Sequence, residues 1–507
     1  YDRSFGKHRV GALALFNEQS RLLYPVGSLE SSIPYRMMGL AGRATYSWDD
    51  RYFAEFNIGY NGSENFAPNK RFGTFPAFGI GWVPSNEKFW EPLKNVVSFL
   101  KIRYTDGKIG NSNVSDRRFM FLEQMEYNGD FGYNWGSNNG KTSGVKVNNN
   151  AVNIGWEESR KQDLGIDLKL MRDELSIIFD LFKEHRTDIL LKRNESIPSF
   201  LGYMSDPYGN VGVVDNKGFD SSLEYNKRIS TNWSVSVRGN FTFNKDKWVD
   251  SDQPDQRYPW MNKAGSNLNA RRGYIADGLY SQEEVDDIRR WESLNSSDRA
   301  DILRPFPVQF AEVKAGDIKY KDLNGDGRID AYDQSYIGRG DVPKMIYGFG
   351  FNTTYKQFSL GLLFQGVKDA DRMLNGNSIN PFRGDGGGGN LFSNIDDRWT
   401  VDNPNQEAFY PRLAYGSDQT SNINNFQTST WWQKDVSFLR LKTMQISYNL
   451  PQRWIKRANL KNASVYMMGT NLFTLSKFKL WDPELNTNNG TSYPNISTYS
   501  MGVNFSF

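Results

Sequence analysis

Within 507 residues, the stretch whose residue types and spacing fit metal chemistry is DLNGDGRIDAYD, Asp322 to Asp333. Asp322, Asn324 and Asp326 stand at positions one, three and five of a calcium loop, and Gly327 at position six permits the sharp turn. The backbone carbonyl of Arg328 falls at seven, Asp330 at nine could act through water, and Asp333 takes position twelve, where an EF-hand has a bidentate Glu. The shorter Asp reaches less far, so its coordination would be tighter or monodentate. The flanks read as strand rather than as a helix pair, so the expectation is an EF-type loop holding a structural calcium. The plain alternative is a polar turn that uses Asp-Gly and Asx chemistry without metal.

No other constellation is spaced for catalysis, and no enzymatic activity is expected. The chain has no cysteine, which removes disulfides, thiolate metal sites and thiol nucleophiles together. Its two histidines, His8 and His185, sit near the ends of strand-like runs and read as exposed polar positions. GDGGGGN, Gly384 to Asn390, lacks the lysine of a phosphate-binding loop and any strand-to-helix context, so it reads as a loop tip. Trp431 and Trp432 could stack on a sugar or anchor a strand at an interface.

Alternation in the rest of the chain specifies the elements that must carry such a loop. In the closing stretch YSMGVNFSF, Tyr499, Met501, Val503, Phe505 and Phe507 are large and apolar, while Ser500, Gly502, Asn504 and Ser506 are small or polar. That two-residue period gives a strand one apolar and one polar face. It recurs in YFAEFNIGY (Tyr52 to Tyr60), DLGIDLKL (Asp163 to Leu170), NWSVSVRGNFTFN (Asn232 to Asn244) and KMIYGFGFNTTYK (Lys344 to Lys356). About 14 such runs are present, each long enough for a tilted transmembrane strand of roughly 9 to 11 residues.

Composition agrees with strands. Aromatic residues make up 15% of the chain beside 46 glycines, and the mean hydropathy is -0.65, a mixture of ring-rich strands and polar loops. No run approaches the roughly 18 apolar residues of a membrane-spanning helix, whereas a barrel strand leaves average hydropathy low. Lys plus Arg total 61 against 58 Asp plus Glu, a net charge of +3 that makes no case for nucleic acid. The opening YDRSFGKHRV shows no secretory signal, so the reading is of a processed start or a piece of something longer.

Connections alternate between minimal and very long. Minimal ones fall at SWDDRY (Ser47 to Tyr52), MRDEL (Met171 to Leu175), RISTNW (Arg228 to Trp233) and YKQF (Tyr355 to Phe358); long ones span Lys108 to Trp156, Lys245 to Val342 and Lys368 to Asp435. All long loops would then leave an up-and-down sheet at one end, as in outer-membrane barrels with short periplasmic turns and long extracellular loops. A soluble sandwich shares the strand pattern, but loops of this size are uncommon in a compact soluble domain. Asp167, Lys169 and Arg238 fall on the polar register, and Trp48, Trp82 and Trp233 lie near strand ends, where aromatic girdles belong. The alternation shows two faces without showing which is inside.

The sequence also resembles the SusC-like TonB-dependent outer-membrane transporters. The resembling stretches are RFGTFPAFGIGWVPSNEKFW (Arg71 to Trp90), LKIRYTDGKIGN (Leu100 to Asn111), WEESRKQDLGIDL (Trp156 to Leu168), AGDIKYKDLNGDGRIDAYDQSYIG (Ala315 to Gly338), KMIYGFGFNTTYKQFSLGLLFQG (Lys344 to Gly366), DDRWTVDNPN with YPRL (Asp396 to Asn405, Tyr410 to Leu413), and DVSFLRLKTMQISYNLP (Asp435 to Pro451). The resemblance implies an all-β, transmembrane antiparallel β-barrel of about 22 strands filled by a plug. Residues 1–507 would be its C-terminal part, about 14 strands, with the plug, the first strands and the TonB-binding segment lying outside this chain. Phe507 resembles the aromatic ending read by the barrel-assembly machinery, and its strand would close the cylinder.

What the resemblance implies for function is TonB-dependent import of an oligosaccharide or peptide across the outer membrane of a Gram-negative bacterium. The implied partners are a SusD-like surface lipoprotein as lid, TonB, outer-membrane lipid and the substrate, with transporter and lid assembled in pairs. FMFLEQMEYNGDFGYNWG, Phe119 to Gly136, falls where the family's lid hinge is expected, and it reads as a partner contact or as a self-packed surface loop. Two other readings stand beside import: a barrel that scaffolds surface lipoproteins or an envelope assembly complex, and a secreted calcium-dependent glycan-binding protein.

Overall fold

Every alternating run becomes a strand. The computed structural model describes Tyr1–Phe507 apart from residues 23, 25–31, 114–117, 123, 129–133, 137–139, 142–143, 150–151, 199, 201–206, 377–378, 383–392, 415–422 and 458. Fifteen strands make one sheet: β1 (Asp2–Phe5), β2 (His8–Arg21), β3 (Tyr35–Trp48), β4 (Tyr52–Ser63), β5 (Phe72–Trp82), β6 (Val97–Asn111), β7 (Glu157–Leu170), β8 (Leu175–Lys192), β9 (Tyr208–Ser230), β10 (Trp233–Asp250), β11 (Met345–Tyr355), β12 (Phe358–Lys368), β13 (Phe438–Asn449), β14 (Asn462–Ser476) and β15 (Thr498–Ser506). Strand order is chain order, the arrangement that short turns and long loops at alternate ends require. β15 pairs with β14 alone, so within this chain the last strand borders the sheet instead of closing a cylinder onto β1.

Two compact units divide the chain: Tyr1–Asn226 with Thr242–Pro254 and Lys263–Gly265, and Lys227–Phe241 with Asp255–Asn262 and Ser266–Phe507. In the first, register sorts the side chains cleanly. Across β6, β7 and β8, Tyr104, Leu164 and Leu181 share one row, Ile102, Ile166 and Phe179 the next, and Leu100, Leu168 and Ile177 the third, all on one face. Lys101 opposite Asp167 and Thr105 opposite Asp163 occupy the other. A one-residue slip would exchange the faces, so the pattern fixes the pairing. The turn after β3 is tight: between the partners Trp48 and Tyr52, Asp49 and Asp50 both take the left-handed conformation, at φ 51°, and Arg51 N donates to Trp48 O at 2.9 Å.

In the second unit the long connections are themselves folded. The segments 266–344, 369–437 and 477–497 contribute a shared core that includes Tyr280, Ile318, Tyr320, Trp399, Tyr410, Trp432 and Phe478. Helix α1 (Gln282–Ser293) begins at a capping box in which Ser281 and Glu284 satisfy each other's amides, and it turns Val285 and Ile288 into this core. Asp317, 2% exposed, ties two of the segments together: it accepts from Arg412 Nε at 2.8 Å and from Asn425 Nδ2 at 2.9 Å, while Asn425 Oδ1 accepts from the Ile318 amide. Arg440, 1% exposed, reaches from β13 to Glu484 at 2.8 Å and to Asp482.

Replacing Arg412 by Ala leaves the Asp317 carboxylate buried without its cation, a loss of about 3 to 5 kcal/mol. Limited proteolysis should then open segments 266–344 and 369–437 while the strands stay protected. Unchanged cleavage would show that Asp317 does not hold the loops together.

Candidate functional sites on the sheet and its long loops

The polar face of the first unit carries a charge cluster built on one glycine. Arg103 on β6 pairs with Asp163 and Asp167 on β7, each at 3.4 Å, and crosses to Asp180 on β8 at 2.6 Å. The guanidinium lies over Gly165, where a Cβ would overlap both Arg103 and Asp180, so only glycine leaves the passage open. On β3 and β4, Arg43 meets Glu55 at 2.7 Å, and Asn57 donates to the same carboxylate. Beside these pairs runs a trough of 620 Å³ whose walls include Arg43, Glu55, Asn57, Lys101, Arg103 and Lys161. The trough therefore opens on the polar face of this unit.

The apolar face ends in aromatic rows at the short turns. Trp48, Tyr52 and Trp82 are successive cross-strand partners, with Trp48 and Tyr52 stacked at 5.8 Å. In the second unit Tyr355, Phe358 and Tyr448 form a comparable row, flanked by Trp233 at 6.5 Å from Tyr355. Such rows, apolar in body and polar at the tip, suit a boundary between hydrocarbon and water.

The acidic loop folds around its own carboxylates. Asp322 accepts from the Gly325 and Gly327 amides, both at 2.7 Å; Asn324 accepts from Asp326 N at 3.0 Å; and Asp326 accepts from Arg328 N at 3.0 Å. Gly325 and Gly327 stand at φ 73° and 80°, so the turn the sequence required is present. Asp333 closes the loop from beneath, accepting from Leu323 N and Asp330 N at 2.8 Å each. It is fully buried, and that burial raises its pKa above the usual carboxylate range. Arg328 bridges Val308, with Ile329 N donating to Val308 O at 2.8 Å, and the flanks are strands, Ile318–Tyr320 and Ser335–Ile337, as the sequence indicated. Among the described residues, no group of three or more His, Cys, Asp or Glu is gathered to hold a metal ion, so the carboxylates are arranged around amides. Their oxygens retain lone pairs, since each carboxylate offers about four acceptor sites.

The two tryptophans lie elsewhere than either expectation placed them. Trp432 is 4% exposed in the loop core and donates to Asn425 O at 2.8 Å; Trp431 donates to Phe409 O and, with Phe409, packs against the Lys434 ammonium. Burial lowers Lys434 to about 8. The Trp432 ring is not offered to a sugar or to an interface, because a folded loop unit supplied a core for it that strand patterning does not reveal, and Trp431 packs partly buried against that core. In the aromatic stretch 119–136, Met120 packs with Phe66 and Ile154 in a small core, which is the self-packed alternative, while Leu122 and Met125 are exposed. Residues 123 and 129–133 of that stretch, and all of Gly384 to Asn390, lie outside the described residues. His8 meets Tyr46 at 2.8 Å and His185 meets Asp215 at 2.7 Å, both at exposed positions as expected.

Comparison with known proteins matches this arrangement. The sequence model of the family described as TonB dependent receptor-like, beta-barrel matches residues 10–337. The chain is 26% identical over 487 residues to TonB-dependent receptor P3 of Formosa agariphila, covering 93% of this chain and 45% of that protein. It is 25% identical over 482 residues to TonB-dependent receptor SusC of Bacteroides thetaiotaomicron, covering 92% and 43%. Among solved structures it is similar to the RagAB peptide importer in the open-open state, with a TM-score of 0.74 at 20% identity, covering 100% of this chain and 54% of that one. The chain spans about half the length of these relatives.

The assignment of faces can be tested directly, because there is no native cysteine to react. Ile166→Cys should label with a membrane-soluble maleimide and resist a charged one, whereas Lys161→Cys on the trough wall should do the reverse. The opposite pattern would invert the faces.

Proposed function

Because this chain belongs to the TonB dependent receptor-like, beta-barrel family, we propose that it builds the C-terminal part of an outer-membrane barrel that imports an oligosaccharide or a peptide. Import is driven through TonB, a SusD-like lipoprotein caps the barrel outside, transporter and lid work in pairs, and the chain performs no covalent chemistry. The observation that carries this reading is the coincidence of concavity with charge: a trough walled by Arg43, Glu55, Lys101 and Arg103 beside an apolar opposite face. That is the wall of a wet conduit with lipid outside it. Open sheet edges have no place in hydrocarbon, so further strands must meet β1 and β15 in such a barrel. The relatives' names, TonB-dependent receptor and SusC, and the fold of a peptide importer support the class of cargo.

Gentle detergent extraction of the native protein followed by mass spectrometry tests this. A plug-bearing segment and a lid lipoprotein should co-purify, and deleting the chain should abolish uptake of one oligosaccharide or peptide class. Recovery of assembly factors or unrelated lipoproteins, with uptake intact, would replace import by scaffolding.

The acidic loop, in the same reading, holds a structural calcium through Asp322, Asn324, Asp326, the Arg328 carbonyl, Asp330 through water, and Asp333. An all-oxygen donor set is suited to a hard cation, and a cation there would offset the burial of Asp333. When bound, the ion would pin segment 266–344 for docking. Titration calorimetry should show binding on the order of 0.1 to 1 mM, as in extracellular modules, lost in Asp322→Ala and Asp326→Ala. No heat of binding, together with equal protease resistance in chelator, would leave the loop a polar turn.

A further inference from the structure

Above the apolar rows of the first unit stands a row made of lysine. Lys183 on β8 is the direct partner of Lys217 on β9. Asp215 meets Lys247 at 3.8 Å and the Phe219 and Phe243 rings lie 5.8 Å apart, two contacts that together set Lys217 opposite Lys245 on β10. Lys183, Lys217 and Lys245 thus project side by side from neighbouring strands, all exposed, on the face that carries Leu181, Phe219 and Phe243 immediately below them.

Like charges set directly opposite across strands, with Cβ atoms about 5 Å apart, repel. Only Asp215 acts on this row, at Lys183, and no carboxylate is paired with any of the three among the described residues. The nearest, Asp215, is already paired with His185 at 2.7 Å and with Lys247, and Asp106 is held by Arg160. None of the three lysines enters an ion pair among the described residues. An arrangement of this kind is favourable when an anion outside the protein lies against it.

Position says which anion. From Leu175, at the short-turn end of β8, the strand climbs to Lys183 by about 20 Å along the membrane normal at a tilt of about 40°. The apolar band is about 25 Å tall, so stems lying on the apolar surface carry the ammonium groups the remaining distance to the headgroup level on the long-loop side. We infer that Lys183, Lys217 and Lys245 form a binding site on the outer wall for the phosphate of a phosphorylated glycolipid of the outer leaflet. The acyl chains lie over Leu181, Phe219 and Phe243. The site rests on the reading of the apolar face as lipid-facing.

The test uses protein purified from native outer membranes, delipidated in detergent and incubated with rough lipopolysaccharide, with or without prior enzymatic removal of its phosphates. Bound glycolipid is counted by native mass spectrometry. The combined Lys183→Gln, Lys217→Gln, Lys245→Gln variant should lose at least tenfold in retention, whereas Lys456→Gln, Arg457→Gln, Lys461→Gln, of equal charge change near the turn between β13 and β14, should retain wild-type levels. Dephosphorylated glycolipid should bind the wild type as weakly as the triple variant does. Equal retention by all three proteins, or equal loss in both variants, would overturn the site, as would free inorganic phosphate competing as well as the glycolipid. Heat-modifiable migration shows separately whether each variant is a folded barrel, and Lys217→Arg should keep retention if charge is what matters. Should Ile166→Cys fail to label from the membrane, the lipid-facing reading itself falls, whatever the retention.

Discussion

Everything in this molecule follows from the need to pair the backbone amides of a sheet that has hydrocarbon on one side. In lipid no water is available to an unpaired N–H or C=O, so each strand must find both neighbours in the sheet and each connection must leave the apolar layer quickly or stay out of it. An antiparallel order that equals chain order meets this with the shortest turns, and it sends every long segment to one end. Once pairing is fixed, the two-residue period does the remaining work. Leu164, Ile166 and Leu168 face one way as a set, and Asp163, Asp167 and Lys169 the other.

The polar face then obeys a different rule. Charges on it are paired across strands: Arg103 reaches three carboxylates on two strands, and Arg43 reaches Glu55. Partial hydration in a wet trough keeps such pairs from carrying the full desolvation cost of a buried ion pair. They also leave a wall of fixed dipoles and charges that a polar solute can exchange for its water. A wet, charged face and an apolar face are therefore two sides of one strand pattern.

Much of this was legible in the sequence because period-two alternation is local. Strands at Tyr52–Ser63, Leu175–Lys192 and Met345–Tyr355, the tight turns at Asp49 and Asp50, and the end from which long loops leave could be read from neighbouring residues alone. The core of the loop unit was not legible. Asp317 lies about a hundred residues before Arg412 and Asn425, and nothing in the spacing of a polar loop tells that two segments will bury one carboxylate between them. Trp432 was misread for the same reason: its destination is set by a core assembled at long range. The row of lysines escaped because Lys183, Lys217 and Lys245 become neighbours only when the register of three strands is known.

The acidic loop shows how far a local motif can be trusted. Gly327 predicts a sharp turn from its position alone, and the turn is there at φ 80°. The carboxylates nevertheless turn to amides of the same loop, so the backbone shape can be specified by Asx-type hydrogen bonds as well as by an ion. Asp333 separates the two possibilities physically. A surface turn has no need to bury a carboxylate completely beneath it, and this one is held there by the backbone amides of Leu323, Asp330 and Asn324, with its pKa raised by the burial. A divalent cation at the loop's head would compensate that buried charge, whereas a simple turn leaves it as a standing cost.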